Sequence, residues 1–324
     1  MTGRQPSERI FHVTPEDIGV RLDVFLAHHC PDLSRNQIQN AVQQGHATVD
    51  GKTRSKSFRL TEGNEVCFQP SPQVAIDVTP QPIPLDIVYE DPDLLVVNKP
   101  AGMVVHPAPG HHNGTLVNAL LHHCHKLAET GDDYLRPGLV HRLDQDTTGL
   151  LVVALNDQTH QSLTKQLKDR LLGRKYVVLS WGCWLQNEGV LTDSIGRHPR
   201  DRLKMAVLEA GGRLAKARYL VAEDFGFVQL CQVALDTGRT HQIRVQFAHA
   251  GHPVVGDPLY GDDRRAWNVR PVERQLAAQM IKRVQRQMLH AVELTLVHPR
   301  LGKTMNFKTD LPEDMATVLK GLRQ

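Results

Sequence analysis

Hydrophobic and polar positions alternate in two different ways along the chain. From Arg21 to Phe68 helical spacing comes first. Arg21-Leu-Asp-Val-Phe-Leu reads as one amphipathic helix, and Ser34 is placed to cap a second, Arg35 to Gln44, closed by Gly45. Short strands at Ala47-Thr-Val49 and Glu65-Val-Cys-Phe68 follow, with Asp50-Gly51 as a two-residue turn signal. Two helices and a small sheet make residues 21–69 a minimal domain. Residues 1–20 read as a flexible leader, and Pro70, Pro72, Pro80, Pro82 and Pro84 mark 70–84 as an extended linker.

From residue 85 to 324 the apolar positions come in short dense runs. Strands are predicted at Leu94–Asn98, Leu139–His141, Leu150–Ala154, Tyr176–Ser180, Ala217–Val221, Val228–Leu235, His290–Val297 and Met305–Phe307. Helices are predicted at Thr115–Leu127, Asp157–Leu171 and Thr240–Ala250, the last capped by Thr240 and stopped by Gly251. Runs of strands with few helices between them favour an α+β domain on a mixed, mostly antiparallel sheet flanked by helices.

Composition narrows the setting. No run approaches the roughly 18 apolar residues of a membrane span, and the first residues lack the apolar core of a signal peptide, so a cytoplasmic protein is expected. The five cysteines are scattered without a Cys-x-x-Cys pair, which suggests neither a disulfide framework nor a zinc ribbon. Net charge is only +3, but residues 160–218 hold twelve Lys/Arg against five Asp/Glu, and 264–286 hold seven against one. Such local excess is the footprint of a phosphate-rich partner.

One carboxylate stands out. The segment Gly138-Leu-Val-His-Arg-Leu-Asp144-Gln-Asp-Thr-Thr-Gly149-Leu-Leu-Val-Val153 sets Asp144 on a tight turn between two apolar strands, a rigid mount for a reacting group. Polar residues are also dense at Gly173-Arg-Lys-Tyr176 and at Asp236-Thr-Gly-Arg-Thr-His-Gln-Ile-Arg244.

These three segments, with His141-Arg-Leu-Asp144 as hallmark, resemble the pseudouridine synthases that include the large-subunit ribosomal uridine isomerases. Val97-Asn-Lys-Pro-x-Gly102, Val105-His-Pro107, Gly256-Asp-Pro-Leu-Tyr-Gly261 and Gln287-Met-Leu-His-Ala291 extend the likeness from about Leu85 to the C-terminus. Arg21-Leu-Asp, Ser34-Arg35 and Gly45-x-x-x-Val-Asp-Gly51-Lys52 resemble the small RNA-binding fold called the αL motif. That likeness implies a face of Arg35, Lys52, Arg54 and Lys56 gripping RNA backbone.

The resemblance implies a monomeric isomerase acting on 23S ribosomal RNA or on the assembling large subunit. Breaking an N-glycosidic bond and rejoining the base through carbon is redox-neutral, so no cofactor and no metal is expected. One carboxylate is needed near C1′ or C2′ of the ribose, as nucleophile or as base, and the likeness assigns this to Asp144. An ionised Asp in a water-poor pocket needs an opposite charge, and Arg244 matches that position. Tyr176 is expected to stack on the target base, Arg142 to enter the space left by the flipped nucleotide, and Ile243 to wall the base.

Other readings bear on the same residues. His111-His112 and His122-His-Cys-His125 invite a metal, but their spacing supplies no second ligand pair. Asp144-x-Asp146 would also suit a metal-dependent nuclease, for which chelation should abolish activity. A non-catalytic RNA-binding assembly factor with a vestigial site is a further competitor, as is a sister synthase with other 23S target uridines.

Overall fold

The structure, a computed structural model, describes residues 8–31, 33, 35–69, 79–107, 111, 113–124, 127, 137–201 and 203–324, without the side chains of 35–37, 40 and 267. Two compact units divide it, Met1–Asp77 and Val78–Gln324.

In the small unit β1 (Arg9–His12), α1 (Leu22–His29), α2 (Arg35–Gln43), β2 (Ala47–Val49), β3 (Lys52–Thr53) and β4 (Glu65–Phe68) follow in order, with the sheet running β1-β4-β2-β3. Asp50 and Gly51 take φ of 52° and 71°, the pair of left-handed residues that a tight hairpin turn requires. Leu22, Phe25 and Leu26 of α1 and Ile38 of α2 bury against Val49, Val66 and Phe68.

Residues 9–20 are not the loose leader expected. Arg9 to His12 pair antiparallel with Phe68 to Glu65, and Val13 joins the core. A four-residue strand whose partner lies more than fifty positions away leaves little local pattern to read. Ser34, expected as a cap, lies outside the described residues.

The large unit contains β5 (Ile87–Glu90), β6 (Leu94–Lys99), α3 (Leu116–His123), β7 (Thr148–Ala154), α4 (Asp157–Lys168), β8 (Gly173–Trp181), β9 (Glu188–Arg197), β10 (Met205–Val207), β11 (Arg213–Asp224), β12 (Val228–Leu235), α5 (Gln242–His249), α6 (Arg274–Arg283), β13 (Leu289–Val297), β14 (Thr304–Lys308) and α7 (Glu313–Leu322). Its sheet runs β10-β9-β11-β12-β8-β13-β7-β6-β5, with β14 against β13. The β7–β13 pair is parallel and the other strand pairs are antiparallel, so the unit is α+β on a mixed sheet.

Both faces of the central strands are covered, which explains their unbroken apolar runs. Leu95, Val97, Leu151 and Val153 face α3 and α5 through Leu116, Leu120, Ile243 and Phe247. Leu94, Val96, Leu150 and Val152 face Leu163 of α4 and Leu294 and Leu296 of β13. Farther along, α6 and α7 cover Leu179, Trp181 and Leu230.

Several expected elements differ. Leu139–His141 is not a strand; Leu139 makes a single bridge to Val153. The helix expected at Thr115–Leu127 ends at His123, where Cys124 turns extended. Residues 79–84 are not merely a linker, since Asn118 Nδ2 donates to the Thr79 carbonyl and Gly114 N–H donates to Gln81 Oε1.

Gly149 sits where β7 meets β13, at φ 114°, and a Cβ there would overlap the backbone of Ala291. Gly149→Ala is therefore expected to cost about 3 kcal/mol, because both strands are central and neither backbone can retreat. Chemical denaturation checks it, and a variant as stable as wild type would refute the close approach.

Candidate active site

The turn that carries Asp144 is built by its neighbours. Thr147 N–H donates to the Asp144 carbonyl at 3.1 Å, closing the turn just before β7. Two cations hold its outer carbonyls. Lys99 Nζ, 1 % exposed, donates to Gln145 O at 2.8 Å and to the carbonyls of Pro100 and Met103. Arg286 Nη1 donates to Asp146 O at 3.1 Å, while its Nε and Nη2 grip Asp314. Burial lowers Lys99 to about 7 against the opposing pull of Asp146 and Asp144.

Asp144 faces a cleft of about 590 Å³ lined by Leu139 to Asp144, Tyr176, Arg174, Leu289 and the stretch Leu235 to Arg244. Arg244, on α5, donates from Nη1 to Asp144 Oδ2 at 2.9 Å. Its other edge is a two-pronged pair with Asp257: Nε to Oδ2 at 2.6 Å and Nη2 to Oδ1 at 2.8 Å. The Asp257 side chain is sealed from solvent and also accepts the N–H groups of Leu259 and Tyr260. Burial alone would weaken the charge on Arg244, but its bonds to Asp257 and the charges of both aspartates hold its pKa above the ordinary arginine value. One guanidinium thus spans two carboxylates, and only Asp144 opens onto the cleft.

Tyr176 on β8 is 5 % exposed and lines the same cleft. Burial raises its phenol pKa, Arg174 opposes, and Asp144 adds to the rise, so the ring keeps its proton at neutral pH. Ile243, buried at the start of α5, forms apolar wall, and Arg142 is exposed at the margin. The structure therefore brings Asp144, Tyr176, Arg244, Arg142 and Ile243 to one cleft.

Lys52, Arg54 and Lys56 are exposed on the small unit, with Arg54 over the Phe58 ring at 4.7 Å and Lys56 donating to Gln39 Oε1. Arg35 opens α2, and its side chain lies outside the described residues.

Sequence reasoning missed His241. Helix α5 is not capped by Thr240: His241 takes the cap position at φ 54°, and Gln242 Oε1 accepts the Arg239 N–H. This bend puts His241 Nε2 3.9 Å from Asp144 Oδ1 and its Nδ1 2.8 Å from the Tyr260 hydroxyl. Burial lowers the His241 pKa, with Asp144 pulling the other way. Asp257 and Tyr260 lie in the Gly256–Gly261 motif and Lys99 in Val97–Gly102, so the residues were visible while their roles were not.

His141 is half-buried, with Nδ1 shut off from solvent and a neutral ring. Its Nε2 accepts the Val152 N–H at 3.2 Å, and burial, reinforced by Arg174, lowers its pKa to about 3. The unfolded chain protonates this ring near 6.5 and the folded one does not, so stability present above pH 6.5 is lost as pH falls toward 3. Between pH 6.5 and 5 the loss is about 2 kcal/mol at about 1.4 kcal/mol per unit. His141→Asn should remove that share of the acid sensitivity in urea titrations at pH 7 and pH 5; an unchanged difference between the two pH values would contradict a neutral ring.

A metal finds poor footing among the described residues. Asp91, Asp93 and His298 have ligand spacing. However, His298 Nδ1 accepts the N–H groups of Arg300 and Leu301, which leaves the proton on Nε2 facing Asp91 Oδ2. His123 pairs with Glu90 at 3.0 Å, and His112 and His125 lie outside the described residues.

Comparison with known proteins identifies the family. Residues 93–249 match the RNA pseudouridylate synthase family and residues 20–66 match the S4 domain. An uncharacterized RNA pseudouridine synthase, YlyB, of Bacillus subtilis is 42 % identical over 94 % of this chain and 94 % of its own. The ribosomal large subunit pseudouridine synthase D of Pseudomonas aeruginosa is 42 % identical over 94 % of this chain and 93 % of its own. Human RNA pseudouridylate synthase domain containing 4 shares the fold, at 22 % identity and a TM-score of 0.53 over 73 % of this chain and 92 % of that one. The chain belongs to the RNA pseudouridylate synthase family, isomerases that work on RNA, and carries an RNA-binding S4 domain in its N-terminal part.

Proposed function

We propose that the protein converts specific uridines of 23S ribosomal RNA to pseudouridine, with Asp144 as the essential carboxylate. The observation that carries this reading is the Asp257–Arg244–Asp144 chain, which aims one cleft-facing carboxylate from a rigid, buried mount. Arg244 orients Asp144 through its Nη1 bond to Oδ2, ready to attack the ribose or to remove a sugar proton. Tyr176 stacks on the everted base, Ile243 walls it, and Arg142 fills the space the base leaves. Residues 21–69, through Arg35, Lys52, Arg54 and Lys56, grip the phosphate backbone without reading sequence. The names of relatives that act on the large ribosomal subunit support the choice of RNA.

The test is to incubate the protein with 23S ribosomal RNA and with assembling large subunits, and to map pseudouridine by position. New pseudouridines that are also missing from cells lacking the protein are expected. Product confined to other RNAs would refute the 23S assignment, and no product on any RNA would refute isomerisation.

A further inference from the structure

Three arginines are buried among the described residues, and two of them are fully engaged. Arg244 spans Asp144 and Asp257, and Arg286 holds Asp314 and three carbonyls. Arg174 differs from both. It is 8 % exposed and lines the cleft, yet among the described residues no ion pair or hydrogen bond holds its guanidinium, and its Nε is shut off from solvent with no acceptor there. It lies two residues before Tyr176 on β8, hence on the same face of the strand.

A second donor in the cleft lining is in the same condition. His141 uses Nε2 as an acceptor, so Nδ1 carries the proton, and that atom too is buried without a partner. A buried charge with no counter-ion is among the costliest features a fold can keep. Two unsatisfied donors and one uncompensated positive charge, with no acceptor offered, define the missing group: it is anionic and rich in oxygen.

We propose that Arg174 and His141 form an anion subsite that takes a phosphate of the RNA backbone next to the target nucleotide. This rests on reading the cleft as the RNA site. A phosphate on the cleft side of the guanidinium supplies the charge that Arg174 lacks, and a small turn of the Arg174 and His141 side chains brings both donors to its oxygens, whereas a neutral uracil carbonyl would satisfy a donor and leave the charge unmatched. Lys168, Arg170 and Arg239 line the same cleft and favour the same sign of ligand. Gly238 fits the arrangement, because a Cβ there would stand 2.6 Å from Arg174 Nη1 and crowd the guanidinium.

The test titrates the full-length protein with inorganic phosphate, uridine, uridine 5′-monophosphate and uridine 3′-monophosphate, following the Nε–Hε NMR signal of Arg174. The phosphate-bearing probes should move that signal and uridine alone should not, and the stronger monophosphate identifies which flanking phosphate is held. Arg174→Met should weaken the nucleotide about tenfold or more, and Arg174→Lys less. Thermal melting separates a ligand role from a structural one: with no native partner to lose, Arg174→Met should melt at or above wild type. A signal indifferent to phosphate, nucleotide binding unchanged in Arg174→Met, or a marked fall in its melting temperature would each overturn the proposal. If phosphate engages Arg174 but neither nucleotide improves on it, the anion subsite stands and the uridine reading of the cleft fails.

Discussion

Asp144→Asn is expected to lower pseudouridine formation at least about a thousandfold while leaving RNA binding within a few-fold of wild type. The amide has nearly the shape of the carboxylate, and its oxygen can still accept from Arg244 Nη1. It can neither attack the sugar nor take a proton. Fold stability should hardly change, because Arg244 keeps its two bonds to Asp257 and so does not become an uncompensated buried charge. Single-turnover assays on mapped substrate RNA, with melting curves in parallel, check both halves. A variant retaining a tenth of wild-type rate would remove Asp144 from the chemistry.

The second large effect lies at a residue the cleft does not expose. Asp257→Asn keeps one oxygen for Arg244 Nη2 and the two backbone N–H groups, but turns an amide N–H₂ toward Arg244 Nε, donor against donor. Breaking one partner of a buried ion pair costs about 3 kcal/mol or more, and the guanidinium that orients Asp144 loses its anchor. The expected signature is a lower melting temperature together with a kcat reduced about a hundredfold, and a KM for RNA that barely moves. In the double variant with Asp144→Asn the kinetic losses should not add, since Asp257 acts on the reaction through Asp144. Additive losses, or a KM effect larger than the kcat effect, would show that Asp257 serves RNA binding instead.

Much of the sheet was legible because its central strands are apolar on both faces, as in Leu94–Val97 and Leu150–Ala154. Elements with little buried surface were not. Strand β9 fully buries only Ile195, and α6 buries only Ala277 and Met280 while carrying Arg274, Lys282 and Arg283, so the basic count of that region concealed a helix. Asp144 stood out through its turn, and Arg244 through the family resemblance of the segment that ends in Gln242-Ile-Arg244, which supplied the counter-charge the carboxylate needs. The rest of the site depends on contacts that no spacing reveals. Lys99 and Arg286 are cations that a sequence reader places on the surface, yet both are buried under backbone carbonyls of the Asp144 turn. Asp257 meets Arg244 only because the turn after α5 folds back beneath it.

The place of β13 between β8 and β7 bears on how the enzyme is made. That strand belongs to the last forty residues of the chain, yet it pairs with Thr148 and Gly149 directly after the Asp144 turn, next to Arg286, which grips that turn. A ribosome must therefore release the chain beyond Val297 before the middle of the sheet can close. Until then the nascent chain lacks its central strand, and truncation upstream of Arg286 leaves Lys99 as the one cation of the pair still gripping the Asp144 turn.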